Sequence, residues 1–145
     1  MTFIILSSAV IIAFYFILKK KKTVNGWKKP KTDFPKEWRI TLIEEVNFYN
    51  TLSSEEKAHF EFKIQEFLLN CRITGIKTEI TTRDQILTAS SAVIPIFAFK
   101  NWTYSNLSEV LIYPTSFNEK FETTGADRRI LGMVGTGYLE GKMIL

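Results

Sequence analysis

The sequence predicts a small α+β domain, rich in helix with a short β-sheet, carried behind a single N-terminal transmembrane helix. Three observations predict it. Phe3 to Leu18 holds no charge and is followed at once by Lys19, Lys20, Lys21 and Lys22. The middle of the chain repeats apolar residues every three or four positions behind helix-cap signals, and the last third breaks into short β-forming runs separated by glycines. Together these give an α+β layer domain.

The uncharged run has the character of an anchor. At a rise of 1.5 Å per residue it reaches about 24 Å, slightly short of a roughly 30 Å hydrocarbon core, a gap that snorkelling lysines and local thinning can close. A cleaved secretory signal would carry its positive charge before the apolar run, whereas here Thr2 precedes it and lysines follow. A buried core helix or a signal peptide is the competing reading. The lysines on the C-terminal side predict a single-pass protein of the inner cell membrane, with Met1 outside and everything after Leu18 in the cytoplasm.

Charge is distributed unevenly. Residues 19–39 hold nine Lys or Arg against Asp33 and Glu37, while residues 40–145 hold ten basic against thirteen acidic side chains. The net +4 therefore sits beside the anchor, and no nucleic-acid partner is implied; the lipid bilayer is the expected partner. The single cysteine, Cys71, excludes an internal disulfide and suits a reducing compartment. The predicted organisation is an anchor over 1–18, a basic juxtamembrane linker over 19–35 and one cytoplasmic α+β domain over 36–145.

Within the linker, Thr23 to Pro35 lacks periodicity and reads as an extended tether, with Trp27 expected at the headgroup level. Pro35 opens an amphipathic helix whose buried stripe is Trp38, Leu42, Val46 and Tyr49. Thr51-Leu-Ser breaks it. Ser53 with Glu56 is a capping box that starts a second helix, with Phe60, Ile64, Phe67 and Leu68 as its apolar face. Ile73 to Ile80 predicts one or two short strands turning at Gly75, and Thr82 with Gln85 a further cap, leading a helix through Ile86 to Val93 that Pro95 bends or ends. After a polar turn over Lys100 to Ser108, Val110-Leu-Ile-Tyr113 reads as a buried strand closed by Pro114. Gly132, Gly135, Gly137 and Gly141 punctuate a loop or hairpin before a last strand from Lys142 to Leu145.

Most familiar chemistry is excluded by the residues. His59 is the single histidine, so no site built on two imidazoles can form within this sequence. His59 reads as structural or superficial. Cys71 lies twelve residues further along the same predicted helix, about 18 Å away, so His59 cannot serve it as a base and an inert buried thiol is expected. Gly135, Gly137 and Gly141 lack a phosphate-loop ending, because Lys142 is followed by Met143. Adjacent carboxylates such as Glu44 with Glu45 diverge by about 100 degrees on a helix and do not converge on a substrate.

From Phe34 onward the sequence resembles the MtfA-like (glucose-regulated) zinc-dependent peptidases. The likeness runs through Trp38 to Tyr49, Leu52-Ser-Ser-Glu-Glu, Ile86 to Pro95, Val110-Leu-Ile-Tyr-Pro-Thr-Ser-Phe117 and the approach Gly137 to Leu145. It implies a zincin, in which a helix carrying His-Glu-x-x-His binds zinc shortly after the strand that begins near Lys142. The sequence ends before such a motif. The resemblance thus implies the amino-terminal part of a peptidase with no cofactor within this chain, zinc belonging to the full-length family member, and no catalytic or metal role for any numbered residue. Because zincins bind a peptide or protein substrate along an edge strand just before the zinc helix, Met143, Ile144 and Leu145 become candidate substrate-binding residues, with a plain core strand as the competing reading. Family members are chiefly soluble, so the anchor is a departure. The expected function is a membrane-anchored, cytoplasm-facing zinc-dependent peptidase fragment; the alternative is a non-catalytic, membrane-tethered protein-interaction module. Loss of a covering helix would leave apolar faces at Val110 to Tyr113 and Met143 to Leu145 exposed and promote self-association.

Overall fold

The computed structural model describes residues 26–99 and 101–145. The anchor expected over 1–18 and the linker over 19–25 lie outside the described residues. Among the described residues no helix is long and apolar enough to cross a membrane.

The elements run in the order α1 (Lys36–Glu45), α2 (Asn47–Thr51), α3 (Ser54–Asn70), β1 (Arg72–Gly75), α4 (Thr82–Val93), a short 3-10 turn (Ile94–Ile96), β2 (Glu109–Ile112), β3 (Met133–Val134), a second 3-10 turn (Gly137–Leu139) and β4 (Lys142–Ile144). The sheet has the order β1-β2-β4-β3, with the first three strands parallel and β3 antiparallel to β4. It is a helix-rich α+β fold with a short mixed sheet. The β1-α4-β2 unit supplies the long crossover that a parallel pair requires.

Local chemistry accounts for the helix starts. Ser53 accepts from the Glu56 amide and the Glu56 carboxylate accepts from the Ser53 amide, which satisfies two otherwise orphaned donors. The second cap forms one residue earlier than the sequence suggested. Thr81 and Asp84 make it rather than Thr82 and Gln85, the Asp84 carboxylate accepting from both the amide and the hydroxyl of Thr81. An ionised acceptor gives the stronger bond at a helix N-terminus, so the aspartate prevails over the glutamine amide.

The stripe Leu42, Val46 and Tyr49 is buried as expected, but the helix carrying it is broken at Val46, whose backbone leaves helical geometry at φ −113° and ψ 87°. The break sets Phe48 and Tyr49 against Phe60, with ring centroids 5.7 and 6.0 Å apart. Phe60, Ile64 and Phe67 of α3 and Ile86, Ala89 and Val93 of α4 complete this helical core. Gly75 ends β1 where the chain folds back, and a Cβ there would lie 2.1 Å from the Thr78 carbonyl oxygen, so no other residue fits.

Residues 26–35 are irregular, as a tether would be, yet they are laid along α3. Asn70 accepts from the Lys28 amide and donates to the Lys28 carbonyl, and Gln65 donates to the carbonyl of Asp33. The ring of Trp27, expected at the headgroup level, is half-buried in this arrangement and meets Phe67 edge-on at 6.2 Å.

Register assigns each strand residue to a face. Ile73, Val110 and Ile112 point to the helical core, while Leu111 and Ile144 point to a second cluster with Phe117, Phe121, Ile130 and Met133. The segment after β2 folds over that second face, stacking Tyr113, Phe117 and Phe121.

Candidate functional site

Met143 pairs with Val110 and with Val134, so all three point to the helical side of the sheet, and Leu145 shares their parity. Their exposures differ sharply. Val110 is 2% exposed, Met143 and Leu145 are each 36% exposed, and Val134 is 71% exposed. The helices thus cover the β1-β2 half of this face and leave the β4-β3 half open. Trp102 borders the open half, in a cleft of about 540 Å³ formed by residues 102–107 and the β3-β4 hairpin.

This placement corrects one expectation. Met143 and Ile144 do not lie on an edge strand, since β4 is hydrogen-bonded to β2 on one side and to β3 on the other. Gly135 donates to the Lys142 carbonyl at 2.8 Å, and Leu145 donates to the Leu111 carbonyl at 2.9 Å. The cause is the hairpin return: β3 occupies the flank that β4 would otherwise present. Ile144 is fully buried and packs as core, whereas Met143 and Leu145 reach the open face. The free edge beside them is β3, Met133–Val134, which pairs with β4 alone among the described residues. Two residues between Gly132 and Gly135 carry no periodicity, so only the flanking glycines signal this strand. Gly135 is required there, because a Cβ would lie 2.1 Å from the Leu139 carbonyl oxygen.

The far end of the sheet is pinned by polar contacts. Thr74 donates to Glu109 at 2.6 Å and Lys142 stands 3.0 Å from the same carboxylate. These bonds, the Thr74 hydroxyl first, hold the Glu109 carboxyl below its ordinary range. The pair fixes the register of β2 against β4.

A second polar cluster lies within the helical core. Glu61 is buried, accepts two bonds from Arg39 at 2.6 and 2.8 Å and one from the Tyr49 hydroxyl at 2.5 Å. Burial alone would raise the Glu61 carboxyl, but the bonds from Arg39 and Tyr49 outweigh it and hold the group below its usual value. Burial, reinforced by the Glu61 contact, pushes the Tyr49 phenol up to about 12. Three of the four acceptor sites of the Glu61 carboxylate are taken by Arg39 and Tyr49, so the group ties α1, α2 and α3 together.

The described residues do not fit zinc. His59 packs its ring against Phe97 at 5.5 Å, and no group of three His, Cys, Asp or Glu side chains converges among the described residues. Cys71 is buried, and burial pushes its thiol up to about 11, so it is neither a ready ligand nor a nucleophile.

The family model described as glucose-regulated metallo-peptidase M90 matches residues 18–145. No curated protein and no solved structure matches the chain.

Proposed function

The chain belongs to the glucose-regulated metallo-peptidase family, and from that premise we propose that it serves as the scaffold of a membrane-anchored, cytoplasm-facing zinc-dependent peptidase. The observation that carries this reading is the half-covered sheet. A face that is sealed over β1 and β2 and open at Met143, Leu145 and Val134 calls for one further apolar element across β4 and β3. A zinc-bearing helix from outside these 145 residues meets that need, and the free edge of β3 beside it can pair with an extended peptide. With a single histidine in the sequence, no site built on two imidazoles forms within these residues, and their contribution is framework and peptide-binding edge.

The coding sequence beyond Leu145 tests this reading. An in-frame His-Glu-x-x-His helix, and a protein extended through it that carries one zinc and cleaves an unfolded protein substrate, is the expected result. Absence of the motif from that reading frame overturns the peptidase. The open half-face also suits a second reading, a tethered module that recruits a cytosolic protein. A stoichiometric partner lost in Val134→Lys, on a chain without zinc, would favour it. For the anchor, retention of the chain in the membrane pellet after carbonate extraction is expected, and its release would remove that part of the proposal.

A further inference from the structure

The segment that leads into α1 does more than connect. Pinned to α3 by Asn70 and Gln65, it forms one wall of a groove of about 810 Å³, within the roughly 300–1,000 Å³ typical of small-molecule sites. Lys28, Lys29, Lys31 and Arg72 line it, and no carboxylate does. None of these four cations lies in an ion pair among the described residues. Between them the surface is apolar, with Trp38 and the half-exposed Leu69 as its principal walls. An acidic peptide would satisfy the charge and leave the apolar walls wet. A ligand with an anionic head and a hydrocarbon stem satisfies both.

We propose that this groove binds the phosphate headgroup and first methylenes of an anionic phospholipid, holding the domain against the bilayer in a defined orientation. Chain order supports this occupant. Lys28 lies six positions after Lys22, a reach of at most about 20 Å, so a chain anchored through 1–18 carries the groove to the membrane surface. The inference rests on the membrane-tethered reading for the delivery of the lipid, and on the groove itself for its recognition. It goes beyond diffuse attraction of a basic run to an anionic leaflet, because it requires the apolar wall as well as the charge.

Lysine acylation read by mass spectrometry on the full chain separates these cases. In nanodiscs of phosphatidylcholine, Lys29 and Lys31 should label freely. Replacing part of the lipid with phosphatidylglycerol should lower their labelling about threefold or more as the free fraction falls, while exposed Lys77 and Lys120 stay unchanged. Water-dispersed dihexanoyl phosphatidylglycerol should give the same protection to detergent-solubilised chain, which reports the groove even if carbonate extraction removes the anchor. Leu69→Asn leaves every charge in place, and its half-exposed position spares the fold; protection should be lost. Protection that survives Leu69→Asn, equal protection by inorganic phosphate, stronger protection by an oligoglutamate peptide, or no protection by phosphatidylglycerol would each overturn the proposal.

Discussion

The two halves of one sheet face are built to opposite standards. Over β1 and β2, α3 and α4 cover Ile73 and Val110 with Phe60, Ile64, Phe67 and Ile86, and the buried Glu61 ties α3 to α1 and α2. Over β4 and β3 the same parity brings out Met143, Leu145 and Val134, which face no helix among the described residues. The lower face of the same strands shows that β4 and β3 are not merely frayed, since Ile144 and Met133 pack there with Phe117 and Ile130. Stability resides in the first half, and the capacity to accept another surface resides in the second.

The largest predicted difference comes from truncating each half in turn. Phe60→Ala should cost about 3–5 kcal/mol in urea unfolding at unchanged slope, whereas Val134→Ala should stay within about 0.5 kcal/mol. Similar losses at both positions would break the comparison.

Glu61→Ala should be next, at about 1–3 kcal/mol, because it strands the Tyr49 hydroxyl while the partly exposed Arg39 returns to water. Its pH signature follows from the directions of the shifts. A Glu61 carboxyl held below its ordinary 4.5 contributes stability that is present above that value and is lost as pH falls through the folded value. A Tyr49 phenol raised from 10.0 to about 12 contributes stability that is complete below pH 10 and disappears as pH rises toward 12. Tyr49→Phe should therefore flatten the alkaline limb of a stability-against-pH curve between those values. An unaltered limb would remove Tyr49 from the network.

Thr81→Ala removes a cap and should cost about 1 kcal/mol, against a few tenths for Thr82→Ala, which sharpens the corrected cap position. Smallest in stability but visible in assembly, Val134→Lys and Met143→Lys should leave the unfolding midpoint nearly unchanged and reduce self-association in light scattering, as expected when charge is placed on an open face and an edge. Self-association indifferent to both would mean that the open half-face is not adhesive.

Much of the closed half was legible in the sequence, because its signals are local. The Ser53 and Glu56 pair, the spacing of Phe60, Ile64 and Phe67, and the apolar run at Val110 each carry their meaning within a few residues. Three features were not local. Val46 departs from helix to satisfy packing against Phe60, Trp27 is placed by Phe67 forty residues away, and the flank of β4 is taken by a two-residue strand too short to show a period. For the candidate site, sequence placed Met143, Ile144 and Leu145 on a final strand but carried no signal for what flanks it, since the faces taken by Ile144 and Val134 follow only from the register.

Thiol accessibility measures the contrast between the halves most directly. The native Cys71 lies in the closed half at 2% exposure, and Val134→Cys would place a second thiol in the open half at a position that is 71% exposed. In dilute native solution the thiol from Val134→Cys should react with an aromatic disulfide reagent about a hundredfold or more faster than Cys71, which waits on unfolding. Comparable rates at the two positions, or a protected thiol at 134, would contradict a sheet sealed on one half and open on the other.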